Sequence, residues 1–126
     1  MTADRAKLLT PIAVKSERVD LPEFGEGEYV MIHGLTAREY NRYQASLLNR
    51  EFGMDRRKVL EQKERLLVRC ICDDEGNRIF SDEDVEAMGD WPTEIQERVH
   101  DVALRLCGRG SEDEDTVKNS PETTAA

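Results

Sequence analysis

The clearest hydrophobic pattern in the chain lies over residues 92–107. Apolar side chains recur there every three or four residues, which is the spacing of one face of an α-helix. Pro92 suits the first turn, because the backbone donor that proline lacks would be unpaired there in any case. The pattern predicts an amphipathic helix with an inward stripe formed by Ile95, Val99, Val102, Ala103 and Leu106.

Two further helices are predicted in the middle of the chain, over residues 36–49 and 55–71. The first begins with Thr-Ala-Arg-Glu, a capping box in which the threonine and the glutamate satisfy each other's free backbone donors. Apolar residues recur at helical spacing in both segments. A shorter helix is predicted over residues 82–89, after a second capping box that starts at Ser81 and has aspartate in place of glutamate.

Residues 14–21 and 28–34 have the character of β-strands, and the second is rich in β-branched and aromatic side chains. The connection between them contains two glycines, which permit a positive φ. We predict an antiparallel hairpin that packs on the helices, because an isolated hairpin is marginal in water. Residues 73–77 (DDEGN) predict a turn.

Both ends of the chain are predicted to be flexible. Residues 1–13 lack a clear hydrophobic period. Residues 109–126 are polar and acidic, and they have too few apolar side chains to bury to offset the entropy lost on ordering. The predicted fold class is α+β. It consists of a mainly helical single domain of about four helices over residues 14–108, a small N-terminal antiparallel β element and a disordered acidic C-terminal tail.

The overall charge narrows the classes of partner. The 126 residues carry a net charge of −9, whereas non-specific binding to nucleic acid requires clustered Lys and Arg. No apolar run approaches the roughly 20 residues that span a bilayer, and no signal-peptide pattern opens the chain. We therefore expect a cytoplasmic protein with no nucleic-acid partner and no membrane contact. Its three cysteines fit reduced thiols.

The side chains that could carry chemistry do not form a recognisable site. The acidic turn does not place glycine and glutamate where an EF-hand needs them. Cys70 and Cys72 are separated by one residue, and His33 and His100 are far apart, so their spacing does not indicate zinc. No phosphate-binding glycine loop or nucleophile motif is present. We expect no enzyme activity and no cofactor. An acidic adaptor, or a DNA-mimic inhibitor of a basic partner, remains an open alternative.

Five segments, read in order, suggest a family. They are residues 21–25 (LPEFG), 34–40 (GLTAREY), 72–85 (CDDEGNRIFSDEDV), 103–106 (ALRL) and 118–120 (KNS). Each segment also has an ordinary structural explanation, such as a turn or a helix cap, so no single one indicates the family. The order of the five segments along the chain is what indicates it. Together they resemble the tail assembly chaperone family of long-tailed, siphovirus-type bacteriophages, and the resemblance covers most of residues 20–120.

The resemblance implies a protein that binds the tape measure protein, keeps it soluble and helps recruit tail tube subunits. It implies action in the host bacterial cytoplasm and absence from the mature virion. Many members are made in a short form and a longer form that arises by programmed frameshifting, and the tail tube contact would run through the longer form. A homo-oligomer is compatible with the sequence but is not visible in it.

Binding such a client requires a groove or face that accepts amphipathic helices. Two side chains lie off the main stripe of the last helix, and two tyrosines line the first one. Tyrosine suits a surface that is wet when free and apolar when bound. The alternative is that all these residues belong to the core. The predicted partner-binding residues are Tyr40, Tyr43, Leu47, Leu104 and Cys107.

Overall fold

A computed structural model describes residues 1–109, so the predicted acidic tail, except for Arg109, lies outside the described residues. The described chain is mainly helical with a small antiparallel sheet, and the predicted α+β class is confirmed. Single 3-10 turns occupy Pro22–Phe24 and Asp82–Asp84. The strands and helices are α1 (Arg5–Leu8), β1 (Ser16–Asp20), β2 (Tyr29–His33), α2 (Ala37–Ala45), α3 (Arg56–Leu60), α4 (Gln62–Cys70), β3 (Ile71–Cys72), α5 (Val85–Met88) and α6 (Thr93–Leu106).

The sheet has the strand order β1-β2-β3, and both pairs are antiparallel. The predicted hairpin is confirmed: β1 and β2 pair from Ser16 opposite His33 to Asp20 opposite Tyr29. The sequence did not predict β3, which adds Ile71 and Cys72 to the other edge of β2. Two residues at the end of a helical apolar run carry no strand periodicity of their own.

The N-terminal residues contain a single helical turn, α1, that is capped by the Asp4 side chain and has no buried residue. Helix α2 begins at the predicted capping box, where Thr36 and Glu39 exchange both hydrogen bonds. It ends at Ala45, earlier than predicted, and the chain turns back through an isolated bridge between Leu48 and Met54. The Asn49 side chain accepts two backbone hydrogen bonds in that loop, which compete with continued helix.

The prediction of one continuous helix over residues 55–71 is wrong. Asp55 caps a five-residue helix, α3, and the backbone then departs from helical geometry at Glu61 before α4 begins. The last predicted helical residue, Ile71, is extended and pairs with Ile32 of the sheet. Pairing with β2 therefore overrides the local helical pattern at this end, as tertiary contacts commonly do.

The predicted turn at residues 73–77 is present, with the Asp73 side chain accepting hydrogen bonds from two backbone amides. Ser81 and Asp84 form the predicted second capping box, which leads into α5. Helix α6 buries its predicted stripe against α4 and the sheet, with Ile95, Val99 and Ala103 in the core. The largest fully buried side chains are Ile32, Leu66, Leu67, Val68, Cys70, Ile71, Cys72, Met88 and Val99.

Candidate functional site

An open apolar cavity of about 360 Å³ lies on the surface beside β2 and the start of α6. Its walls are mostly aromatic, and Phe24 is 52% exposed. Clustered apolar side chains on a protein surface mark sites that contact other molecules. We call this surface the aromatic cleft, and it is lined by Leu21, Phe24, Glu28, Tyr29, Val30, Phe80 and Trp91.

Three aromatic rings form the centre of the cleft. The Trp91 ring centroid lies 5.3 Å from that of Phe24 and 6.2 Å from that of Phe80, in tilted and edge-to-face geometry. These are separations at which aromatic pairs attract each other. The rings stand in short connections: Phe24 ends a 3-10 turn that starts with proline, Phe80 precedes a capping box, and Trp91 precedes a proline.

A pair of ionic hydrogen bonds holds the Phe24 turn against α6. The Arg98 guanidinium donates to both carboxylate oxygens of Glu23, with distances of 3.0 Å from Nη1 to Oε1 and 2.6 Å from Nη2 to Oε2. The same Nη1 donates to the backbone oxygen of Asp20 at 3.3 Å. These bonds lower the pKa of Glu23 to about 2, and they fix the turn that carries one wall of the cleft.

The polar edge of the cleft lies around Tyr29. Its hydroxyl donates to Asp74 Oδ2 at 2.6 Å, and this bond raises the pKa of Tyr29. The guanidinium carbon of Arg18 sits 3.9 Å from the centroid of the same ring, a cation–π contact. Glu28 also lines the cavity. The cleft therefore offers an apolar floor beside carboxylates, an arrangement that can bury apolar side chains and pair with nearby cations.

The five residues predicted to bind a partner lie elsewhere, around α2 and the end of α6. Tyr43 and Leu47 are each only 6% exposed, and the Tyr43 hydroxyl donates to the backbone oxygen of Gln62 at 3.0 Å. Burial raises the pKa of Tyr43 to about 12. The other three predicted residues, Tyr40, Leu104 and Cys107, are half-buried against the core. Their role in binding stays a prediction.

Cys107 lies where α6 ends against the core. The buried Cys70 thiol donates to its sulfur, which raises the pKa of Cys70 and lowers that of Cys107 to about 7. A hydrogen bond from the Leu35 backbone also lowers the pKa of Cys107. All three cysteines are free, as predicted. The contacts at Cys107 place the end of α6 beside the start of α2.

The aromatic cleft was not predicted because its walls come from two distant parts of the chain, residues 21–30 and 80–91. In the sequence, residue 21 ends a predicted strand and residue 80 precedes a predicted capping box, and neither pattern indicates a shared surface. One signal was available. Aromatic residues make up only 6% of the chain, and three of them stand beside a helix start or a proline turn.

Metal-ligating side chains do not come together in the described structure: residues 1–109 contain no group of three or more His, Cys, Asp or Glu placed to hold a metal ion. None of the helices within these residues is long and apolar enough to cross a bilayer.

Comparison with known proteins identifies the family. Residues 5–119 match the phage tail assembly chaperone family, and the chain belongs to that family. This is a family of bacteriophage chaperones rather than of known enzymes, and its partners are phage tail proteins. No curated protein matches the chain.

A solved structure shares the fold. The chain is similar to the tail assembly chaperone of bacteriophage HK97, with 20% sequence identity and a TM-score of 0.54. The match covers 73% of this chain and 84% of the HK97 chain. The resemblance stated from the sequence is thereby confirmed at the level of family and fold.

Proposed function

We propose that this tail assembly chaperone binds the tape measure protein of its phage, keeps it soluble in the host bacterial cytoplasm and helps recruit tail tube subunits around it. It is not retained in the mature virion. The observation that carries the proposal is the aromatic cleft, in which the exposed Phe24 ring and the half-buried Phe80 and Trp91 rings line one open apolar cavity.

The cleft suits an amphipathic helix as its occupant. A helix that lies in a groove presents apolar anchors at helical spacing, and aromatic walls accept them well. Glu28 and Asp74 stand at the edge of the cleft, and the chain as a whole carries a charge of −9. The client helix that fits best therefore has an apolar stripe flanked by Lys or Arg.

A second candidate surface is the one predicted from the sequence. Tyr40, Leu104 and Cys107 each keep part of their side chain at the surface, and Arg109 lies 5.5 Å from the Tyr40 ring centroid. All three side chains are half-buried against the core, whereas the aromatic cleft includes Phe24, which is 52% exposed. Leu104→Asp tests it, because loss of client binding with the fold intact would assign the surface to the client.

A longer, frameshifted form and its contact with the tail tube belong to the same proposal. The coding DNA tests the existence of that form directly. A slippery heptamer near the 3′ end, followed by an overlapping open frame, is the expected result. Absence of both would remove the longer form and leave the short chain to act alone. Self-association likewise stays a prediction, which the molar mass of the purified chain in solution tests.

Co-expression with the tape measure protein encoded by the same phage tests the proposed function. We expect the client to move into the soluble fraction and to purify with this chain. Phe24→Ser should weaken the complex by about 30-fold, because truncating a central aromatic anchor costs on the order of 2 kcal/mol. Phe52→Ser is the matched control, since Phe52 is 84% exposed and lies outside the cleft.

The outcomes separate the function from the site. A client that stays insoluble with the wild-type chain, and with any longer form, contradicts the chaperone function. A client that is solubilised equally well by wild type and Phe24→Ser leaves the function standing and contradicts the cleft as its site. Thermal melting of both variants tests whether each retains the fold, and we expect a cooperative transition for both.

A further inference from the structure

A second surface cavity, of about 260 Å³, carries a cluster of cations on this otherwise acidic protein. Three arginines from separate parts of the fold converge on it: Arg42 from α2, Arg69 from α4, and Arg78 from the connection after β3. We call this surface the arginine cleft, and its full lining is Leu35, Glu39, Arg42, Arg69, Arg78 and Asp82.

Two of the guanidinium groups are held in place by the backbone. Arg69 Nη1 donates to the oxygen of Arg65 at 2.8 Å, and Arg78 Nε donates to the oxygen of Val68 at 2.9 Å. These bonds fix both side chains against α4, and both residues line the cavity. A fixed guanidinium loses little further entropy when it binds a carboxylate, so the cleft is prepared for an anion.

The carboxylates within the cleft do not match these donors. Asp82 accepts a hydrogen bond from Arg78 at 3.1 Å, which lowers its pKa, but its distance to Arg69 Nη2 is 3.9 Å. Glu39 accepts the backbone hydrogen bond of the α2 capping box. The Arg42 side chain has no hydrogen-bond or ion-pair partner among residues 1–109. Among the three arginines of the cleft, Arg42 is therefore the one whose guanidinium has no acceptor within the described residues.

The chain leaves the described structure next to this cleft. Leu35 lines the arginine cleft, and its backbone also hydrogen bonds to Cys107 at the end of α6. Two residues later, the Arg109 guanidinium lies over the Tyr40 ring of α2. The described chain therefore ends beside the helix that carries Arg42.

The sequence that follows supplies the missing charge. Residues 112–115 read Glu-Asp-Glu-Asp, three to six positions beyond Arg109. An extended chain advances about 3.5 Å per residue, so these carboxylates can reach roughly 10–20 Å from the exit point. We propose that the arginine cleft is the docking site for the chain's own acidic segment, residues 112–115, with Arg42 as the principal partner of its carboxylates.

NMR of the full-length chain tests this contact. Changing residues 112–115 to Gln-Asn-Gln-Asn removes the charges and keeps the size of the side chains. We expect the Nε–Hε resonance of Arg42 to shift, and a high-salt spectrum of the wild type to reproduce that shift, because exposed ionic contacts are screened. An Arg42 resonance that is unchanged by neutralising the segment overturns the proposal.

The reciprocal experiment locates the site. Arg42→Gln should shift the backbone amide resonances of residues 112–115. The fold should survive, because the Arg42 side chain is exposed and has no hydrogen-bond or ion-pair partner among residues 1–109. Arg57→Gln is the matched control, as an exposed arginine on α3 that lies outside the arginine cleft. Amides that respond equally to both variants, or to neither, contradict docking in the arginine cleft.

Discussion

At the scale of single residues, Phe52 has a backbone conformation that its side chain does not favour. Its φ is +62°, and it is the only non-glycine residue with positive φ among residues 1–109. A bulky residue in the left-handed region costs on the order of 1–3 kcal/mol. The Phe52 side chain is 84% exposed, so its packing offsets little of this unfavourable free energy.

Phe52→Gly should therefore stabilise the protein by about 1 kcal/mol, because relief of the backbone strain outweighs the added freedom of the unfolded chain. Chemical denaturation measures the change. Phe52→Ala keeps a Cβ atom and the strain, so it should stay within about 0.5 kcal/mol of the wild type. If alanine stabilises the chain as much as glycine does, the gain comes from loss of the exposed ring and the strain argument is wrong.

Gly34 illustrates a constraint that the sequence does not reveal. The end of α6 packs directly on its backbone, and a Cβ atom at this position would lie 2.5 Å from the backbone oxygen of Leu106. Backbone cannot move aside as a flexible side chain can. The capping residues were predictable because their partners are three positions away. The partner of Gly34 is more than seventy residues away.

Gly34→Ala should destabilise the protein by about 2 kcal/mol, since the added methyl group forces α6 away from the sheet. Gly27→Ala is the control. Gly27 has a φ of +79° but open space around it, so alanine there adds only backbone strain of about 1 kcal/mol. Equal losses in urea unfolding for the two variants would contradict close packing at Gly34.

At the scale of elements, the helices were predictable and their ends were not. The stripe of α6 and the box at Thr36 follow from local spacing, which a single sequence contains. The strand at Ile71 depends on the pairing of Ile71 with Ile32, which no local pattern encodes. Among residues 1–109, no comparable partner explains the break at Glu61. The aromatic cleft was missed for the same reason as the strand at Ile71, because its walls meet only in the folded chain.

The Glu23–Arg98 pair joins the Phe24 turn to α6, and it makes stability depend on pH. The pKa of Glu23 falls from an ordinary 4.5 to about 2 in the folded chain. A lowered folded-state pKa contributes stability that is fully present above about pH 4.5 and is lost as the pH falls toward 2.

Melting temperatures of wild type and Glu23→Gln across this range test the pair. The advantage of the wild type should be constant above about pH 4.5 and should shrink as the pH falls toward 2. The pair lies at the surface, so the advantage is expected to be modest and to fall with added salt. An advantage that persists unchanged at the acidic end would show that the carboxylate charge is not what holds the turn.

At the scale of the whole molecule, the described part of this acidic chain carries both an open apolar surface and a compact group of arginines. The net charge of −9 argues against non-specific binding to a phosphate backbone, and it does not by itself select a client. The family followed from the order of motifs along the chain, and the match over residues 5–119 confirms it. The aromatic cleft could not be predicted in this way, because it depends on how residues 21–30 and 80–91 pack together.

Trp91 provides the most direct test of the central claim, because it is the only tryptophan in the chain and lies at the centre of the aromatic cleft. Tryptophan-free helical segments of the tape measure protein would be titrated into the full-length chaperone while Trp91 emission is recorded. We expect a saturable shift of the emission to shorter wavelength, with an affinity that is weakened about 30-fold by Phe24→Ser and unchanged by Phe52→Ser. Binding detected by calorimetry without any change in Trp91 emission would place the client elsewhere and contradict the aromatic cleft as its site.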